Sequence, residues 1–375
     1  MGQLTKYMIV KEKIKEWIAE GQVVPGEKIY SENELVKMFN VSRHTIRQAV
    51  GDLVHEGWLY REQGSGTYVS RKNLQETVTA PPRIVSSSNG KVIGLITTYI
   101  SDYIFPSIIR GIESYLTSQG YSLVLASTDN DIEKEKQCLE TMLARNVDGL
   151  IIEPTKSSGY NPNINYFFEM EQRNIPYLMI NQFYSQINPP YILLNDEQGG
   201  FIATDHLIQQ GHKKIIGLFK TDDLQGVYRM KGFVNAFREN NIPFFPEMTI
   251  TYSTENKQTV VQQTLKELLL NSEKLPTGIV CYNDQLALAV TDLLREMGLK
   301  VPDDISIVGY DDSYLATASE IKLTSVVHPK MQMGIDAAKW IVSAIENNKF
   351  DRADSIIYQP ELIVRESTKK IEVKV

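Results

Sequence analysis

The stretch that decides the architecture of the N-terminal part runs from Ser31 to Val69, SENELVKMFNVSRHTIRQAVGDLVHEGWLYREQGSGTYV. Ser31 followed three residues later by Glu34 has capping-box spacing, which predicts a short helix carrying Leu35, Met38 and Phe39 on one face. Asn40-Val41-Ser42 breaks it, and Ser42 can cap a second helix over 42–55, whose apolar stripe is Ile46, Ala49, Val50 and Leu53. Gly57 ends that helix. Trp58-Leu59-Tyr60-Arg61 and Thr67-Tyr68-Val69 then read as two strands joined at Gln63-Gly64-Ser65-Gly66, with the glycines a tight turn needs. Helix, turn, helix and hairpin make a winged helix-turn-helix.

The polar face of the second helix carries the argument for DNA. Arg43 and Arg47 lie one turn apart near its start, so both guanidinium forks project the same way, toward guanine O6 and N7 if that helix enters a major groove. His44 and Thr45 can add base or phosphate contacts. Two arginines on an arbitrary helix are ordinarily a solvated face. The preceding short helix and the following glycine hairpin favour groove reading here.

Outward from this stretch, Tyr7–Glu20 predicts a first helix in which Ile9, Ile14, Trp17 and Ile18 pack on the helix-turn-helix, with Lys6, Lys11, Lys13 and Lys15 either near phosphates or merely solvated. Residues 4–70 resemble the DNA-binding domain of the GntR family of bacterial repressors. The matching stretches are Tyr7 and Ile14, Pro25-Gly26-Glu27-Lys28-Ile29, Ser31-Glu32-Asn33-Glu34-Leu35, Ser42-Arg43-His44-Thr45-Ile46-Arg47 and Gly64-Ser65-Gly66-Thr67-Tyr68-Val69. That resemblance implies Glu32, Arg43, Arg47 and Gln63 as base readers, with Gly64 and Gly66 letting the wing approach the duplex. The chain departs from the family at Asn33, where a DNA-contacting arginine is common.

The whole chain has 375 residues, enough for two or three domains, and its 42% hydrophobic residues supply ample core. Its net charge of −7 is unevenly spread. Residues 1–75 hold 11 Lys+Arg against 9 Asp+Glu, a balance of +2, and the other 300 carry 28 against 37, a balance of −9. A basic head approaches DNA while the acidic bulk is repelled by it. Cys138 and Cys281 lack metal-ligand spacing and fall in apolar periodic segments, which predicts buried, reduced thiols and a cytoplasmic location. No signal peptide and no apolar run of membrane-spanning length is visible, so neither secretion nor membrane insertion is expected.

Residues 71–90, with Pro81-Pro82 and Ser86-Ser87-Ser88-Asn89-Gly90, read as a linker between a head at 1–70 and a core at 91–375. In the core, strand candidates at 92–98, 122–127, 147–154, 176–181, 191–196, 214–220, 248–252, 277–283 and 304–311 alternate with amphipathic helices at 106–119, 131–146, 197–210, 226–240, 257–271 and 284–297. Near-continuous apolar strands alternating with helices mean parallel sheets covered on both faces, and nine strands over this length predict two lobes. The fold class is α/β.

Ligands of open α/β sheets bind beyond the carboxyl ends of the strands. Here those ends carry Tyr99 to Tyr103, Glu153, Asn181, Asp196, Lys220 to Asp223, Asn283-Asp284 and Asp311-Asp312. Carboxylates, amides and one cation suit a neutral polyhydroxylated molecule, with aromatic rings stacking on its C–H faces. Any one of these Asp or Asn residues could instead cap the next helix, and Asn195 and Asp196 are expected to do so.

From Val92 to Arg365 the chain resembles the sugar-binding core of the LacI repressor family. The matching stretches are Ile93-Gly94-Leu95, Val147-Asp148-Gly149-Leu150-Ile151, Gly199-Gly200, Gly211-His212, Arg229 with Gly232-Phe233, Asn283-Asp284, Ile307-Val308-Gly309-Tyr310-Asp311-Asp312 and Leu323-Thr324-Ser325-Val326. By position, the resemblance places Arg229, Asn283 or Asp284, and Asp311 at effector contacts, and His328 in the pocket. The hinge helix of that family is missing, so its hinge-dependent DNA bending is not carried over. A GntR head on a LacI core resembles the arabinose-responsive repressors of Gram-positive bacteria, through 102–106, 152–157 and 219–227. The resemblance implies an L-arabinose effector met by Asp102, Tyr103, Phe105, Glu153, Asn181, Lys220, Arg229, Asn283, Asp284, Asp311 and His328. It also implies a homodimer on double-stranded operator DNA, and no cofactor.

An enzyme is the alternative that the same residues raise. Asp284 and Asp311 could form a glycosidase pair, but the same residues bind hydroxyls without chemistry. No Walker loop, nucleophile elbow or dinucleotide fingerprint is present, and the two-lobe pattern does not fit a pyridoxal-phosphate domain. A transport or chemoreceptor binding protein conflicts with the DNA-reading head.

Overall fold

The computed structural model describes residues 6–19, 22–24, 26–55, 58–62, 66–70, 91–271, 275–347 and 355–371. The chain divides into two compact units, Met1–Ser87 and Ser88–Val375. Gln63, Gly64 and the expected linker 71–90 lie outside the described residues.

In the first unit, α1 (Lys6–Ala19), α2 (Glu32–Phe39) and α3 (Arg43–His55) precede β1 (Leu59–Glu62) and β2 (Gly66–Val69). Ser31 and Glu34 close a complete capping box at α2, and Ser42 Oγ accepts from Thr45 N at 3.1 Å at the start of α3. Ile46, Ala49, Val50 and Leu53 are buried as the spacing predicts, against Val10, Ile14, Ile18 and Leu35. Met38 is a correction. It is 51% exposed, because the eight-residue α2 turns a single face to the core and Leu35 fills it. The antiparallel β1–β2 pair gains an edge from Glu27–Ile29, whose backbone bonds Thr67 and Val69.

The second unit has two lobes of α/β layers. Lobe 1 runs β3 (Val92–Thr97), α4 (Phe105–Ser118), β4 (Ser122–Ser127), α5 (Ile132–Ala144), β5 (Gly149–Ile152), α6 (Ile164–Gln172), β6 (Tyr177–Ile180) and β7 (Tyr191–Leu194). The chain then crosses to lobe 2: α7 (Asp196–Gln209), β8 (Ile215–Lys220), α8 (Leu224–Glu239), β9 (Thr249–Tyr252), α9 (Lys257–Thr259) continuing through a π-turn at Val260–Leu265 into α10 (Lys266–Asn271), β10 (Gly278–Cys281), α11 (Asp284–Glu296), β11 (Ser306–Asp311), α12 (Tyr314–Ala318) and β12 (Thr324–Val327). It returns through α13 (Lys330–Glu346), which packs on α4, and ends with β13 (Ile356–Tyr358) and β14 (Leu362–Ile363).

The sheet orders are β13-β7-β6-β5-β3-β4 and β14-β12-β11-β10-β8-β9. All pairings in these sheets are parallel except β12–β14, which is antiparallel. All nine expected core strands are present. The chain therefore passes between lobes at 194–196, 327–330 and 358–362, and each sheet takes one strand from the far end of the sequence. Glycines set the helix approach in lobe 2. A Cβ on Gly200 would stand 2.1 Å from Arg229 O, and one on Gly232 would stand 1.9 Å from Glu197 O, so α7 and α8 touch backbone to backbone.

Candidate nucleic-acid interface and effector site

On the head, the side chains of Arg43 and Arg47 are 59% and 63% exposed, and both are held by acceptors from α2. Arg47 Nε donates to Glu32 Oε2 at 2.9 Å, and an Arg43 terminal nitrogen donates to Asn33 Oδ1 at 2.7 Å. Glu32 and Asn33 thus hold the two forks at the surface. Asn33, where the family commonly has arginine, lies beside Glu32 on α2, ten residues before Arg43. Thr45 Oγ1 is bonded to Ser42 Oγ at 2.8 Å. The side chain of His44 lies outside the described residues. Gly66 has φ +143°, and a Cβ there would meet Lys28 Cε at 2.4 Å, so this glycine serves the fold of the wing itself.

In the second unit, the strand ends of both lobes enclose a cavity of about 200 Å³. That is smaller than the roughly 300–1,000 Å³ of drug-sized sites. Of the residues singled out from the sequence, Asp102, Tyr103, Phe105, Glu153, Lys220, Arg229, Asn283 and Asp311 line it. Thr98, Tyr99, Asn130, Gln182, Asp223, Gln225, Tyr252, Thr254, Lys257, Tyr282 and Gln285 line it too. Tyr99 and Asp223 follow strands and were legible as strand-end residues. Thr98, Gln182, Tyr252, Thr254 and Tyr282 also lie at strand ends, whereas Asn130, Gln225, Lys257 and Gln285 sit on helices or loops that no strand-end rule marks.

Three expected contacts, Asn181, Asp284 and His328, are not in the lining and stand one layer behind it. Asp284 turns away because hydroxyl and backbone donors claim its carboxylate: Ser325 Oγ at 2.6 Å, Ser313 N at 2.7 Å and Ser313 Oγ at 2.9 Å. Asn181 Nδ2 donates to Glu153 Oε1 at 2.8 Å and its Oδ1 faces His328 Nε2 at 3.0 Å, so both residues support the wall without forming it.

Arg229 is only 2% exposed. Its Nε donates to Asp196 at 2.7 Å, one terminal nitrogen to Tyr282 O at 2.7 Å, and the other reaches Asp311 at 3.5 Å. Its guanidinium carbon lies 3.6 Å from the centre of the Tyr310 ring and 4.7 Å from that of Tyr282. Asp196 is a correction: Asn195 caps α7 by accepting from Gln198 N, whereas Asp196 is the buried partner of Arg229. Burial lifts the Asp196 carboxyl to about 6, with Arg229 pulling the other way. Lys220 Nζ is paired with Asp223 at 2.9 Å, which holds its ammonium above the usual lysine range against the cost of burial. Asp223 also caps α8 and accepts from Tyr282 Oη at 2.8 Å. Glu153 takes two donors from Thr98, at 2.9 and 2.5 Å, while burial raises its carboxyl.

Several links join the lobes around the cavity. Tyr103 Oη donates to Tyr310 O at 2.9 Å and accepts from Asp284 N at 3.1 Å. Asn130 Nδ2 donates to Thr254 Oγ1 at 2.6 Å, Ser158 Oγ to Thr221 O at 2.7 Å, and Leu224 N to Ser157 Oγ at 2.9 Å. Lys156 and Glu255 form an ion pair. Tyr103 and Lys156 near the cleft have positive φ, a conformation uncommon for residues other than Gly, Asn and Asp.

Residues 6–69 match the model of bacterial regulatory proteins of the gntR family, and residues 204–368 match that of a periplasmic binding protein-like domain. The chain is 51% identical to the arabinose metabolism transcriptional repressor of Halalkalibacterium halodurans, over 97% of this chain and 96% of that one. It is 50% identical to the protein of the same name from Geobacillus stearothermophilus, over 98% and 99%. The chain belongs to the arabinose metabolism transcriptional repressors. It is a DNA-binding regulator, and its family are repressors, not enzymes. Its core is similar to a LacI family transcriptional regulator from Enterococcus faecium with bound ribose, at TM-score 0.64 and 27% identity over 75% of this chain and all of that one. It is equally close to the transcription regulator CcpA of Lactococcus lactis, at TM-score 0.66 and 25% identity over the same shares. Among the described residues no helix is long and apolar enough to cross a membrane, and no group of acidic, His or Cys residues is arranged to hold a metal ion. Cys281 is buried and Cys138 half-buried, both as free thiols.

The buried carboxyl of Asp284 supplies a pH prediction. Burial raises it to about 7, with the charge of Asp311 adding to the rise and the Ser313 and Ser325 donors opposing it. The folded state holds this proton more tightly than the unfolded chain, whose carboxyl titrates near 4. Its contribution to stability is therefore complete below about pH 4 and is lost as pH rises through about 7. Asp284→Asn removes the titration, so urea melts at pH 5 and pH 8 are expected to differ less in the variant than in the parent. An unchanged difference contradicts the assignment.

Proposed function

We propose that this repressor holds operator DNA through its winged head and leaves it when L-arabinose fills the cleft between the lobes of the core. The observation that carries the reading is the small cavity itself, walled by strand ends of both lobes with carboxylates, amides, a lysine and aromatic rings. Such groups bridge neighbouring sugar hydroxyls and stack on C–H faces. Two relatives of about 50% identity named for arabinose metabolism support the choice of sugar. So does a similar core that holds ribose, another pentose.

A sugar in contact with both walls favours one relative orientation of the lobes. In a two-fold homodimer on a palindromic operator, that orientation selects one spacing of the paired heads. To turn a mostly bound dimer into a mostly free one, the sugar must prefer the released form by about 3–5 kcal/mol, within reach of a few charge-assisted hydrogen bonds. Operator binding puts the protein in the cytoplasm.

A thermal-shift panel of pentoses and hexoses tests the choice of ligand. L-arabinose at a hundredfold excess over its Kd is expected to raise the melting temperature by about 5 °C, and glucose is expected to leave it unchanged. A shift with glucose and none with L-arabinose would overturn the reading.

A further inference from the structure

The residues behind the cavity wall form a chain whose polarity can be worked out. The Glu153 carboxylate faces the amide of Asn181 at 2.8 Å, and a carboxylate accepts, so the Asn181 nitrogen points to Glu153 and its Oδ1 points the other way, to His328 Nε2 at 3.0 Å. Nε2 must then carry the imidazole proton, which leaves Nδ1 bare, and Nδ1 is in fact buried without a partner. All three side chains are 2% exposed.

His328 also sits where the chain crosses between the lobes. Its backbone N–H reaches Asp311 O at 3.4 Å, and its carbonyl accepts from Lys330 N at 2.8 Å. Lys330 Nζ in turn donates to the carbonyls of Asp311 at 2.6 Å and Asp312 at 2.9 Å. One residue of the crossover is therefore bonded toward Glu153 in lobe 1 and toward the backbone of Asp311 in lobe 2, and both carboxylates line the cavity.

We propose that His328 is a positioning residue of the effector site: from the crossover between β12 and α13 it fixes the Asn181 amide, which holds the Glu153 carboxylate in line with the ligand. The claim rests on the monosaccharide reading of the cleft. It goes beyond that reading by giving the lobe crossing a direct bond to a ligand-facing group. Loss of the Nε2 donor leaves Asn181 Oδ1 buried and unsatisfied and frees the amide to turn, so Glu153 Oε1 loses its donor while Thr98 still holds Oε2. A ligand that engages Glu153 pulls on the crossover through the same two bonds.

The test is a double-mutant cycle read by calorimetry with L-arabinose on the full chain. His328→Leu is expected to weaken binding about tenfold, the factor carried by about 1.4 kcal/mol. His328→Gln, which keeps an N–H donor, is expected to restore binding to within about threefold of the parent. In a Glu153→Gln background His328→Leu is expected to cost less than about twofold further, whereas fully additive losses would overturn the proposal. A second measurement needs no ligand. In sugar-free protein the ring nitrogen resonances of His328 are expected to report the Nε2–H tautomer and to move on Glu153→Gln, and resonances that stay in place would overturn the proposal even if His328→Leu fails to fold. A parent that binds no L-arabinose in the calorimeter refutes the choice of effector, while the resonance measurement still decides the relay.

Discussion

Replacing Arg229 with alanine is expected to lower the stability of the core by about 3–5 kcal/mol, the loss that follows when one member of a buried ion pair is removed. Asp196 and Asp311 are left in the interior, where each is no more than 4% exposed, and the stack between Tyr282 and Tyr310 is emptied. The deficit should shrink as pH falls from 8 to 5, because the Asp196 carboxyl, already lifted to about 6 with the cation present, takes up a proton and ceases to be a buried charge. Urea melts of parent and variant across that range measure it. A deficit below 1 kcal/mol at pH 8 would mean that the pair is dispensable. Loss of the sugar response alone therefore cannot place Arg229 in contact with ligand. The double variant Arg229→Met with Asp196→Leu separates the two roles, since apolar replacement of a buried pair recovers stability. If Arg229 serves the ligand as well as the fold, this variant melts above Arg229→Ala, short of the parent because Asp311 stays buried without its cation, and still ignores sugar.

Arg43→Ala and Arg47→Ala are each expected to cost about 1–3 kcal/mol in operator affinity at fixed salt and to relax preference at one base pair. Neither should move the melting temperature appreciably, because both side chains are more than half exposed and their partners Glu32 and Asn33 remain solvated. Anisotropy titrations on operator and on scrambled duplex give both numbers. If both variants bound the operator as tightly as the parent, α3 would not be the reading helix. Wing substitutions are less clean than the sequence alone implies. Gly66→Val forces a side chain into Lys28 and a φ that valine rarely adopts, so the wing deforms and any loss of DNA binding has two causes.

The periodic parts of the chain were readable because their physics is local. Ser31 with Glu34 and the stripe from Ile46 to Leu53 follow from spacings of three and four, and the nine core strands from apolar runs buried on both faces. What local pattern could not show was which groups find partners across the fold. Asp196 looked like a helix cap and became the counter-ion of Arg229, thirty-three residues away. Asn181, Asp284 and His328 carried the right chemistry at the right strand ends, yet partners from other strands and the lobe crossing hold them one layer back. The last strands, β13 and β14, are three and two residues long, too short to carry a period, and each completes a sheet begun far earlier in the sequence.

Footprinting of the operator by the full chain, with and without saturating L-arabinose, addresses the coupling between cleft and head most directly. The expected result is protection by the sugar-free protein that disappears at millimolar L-arabinose and persists in glucose. Full protection that continues in saturating L-arabinose would contradict the account.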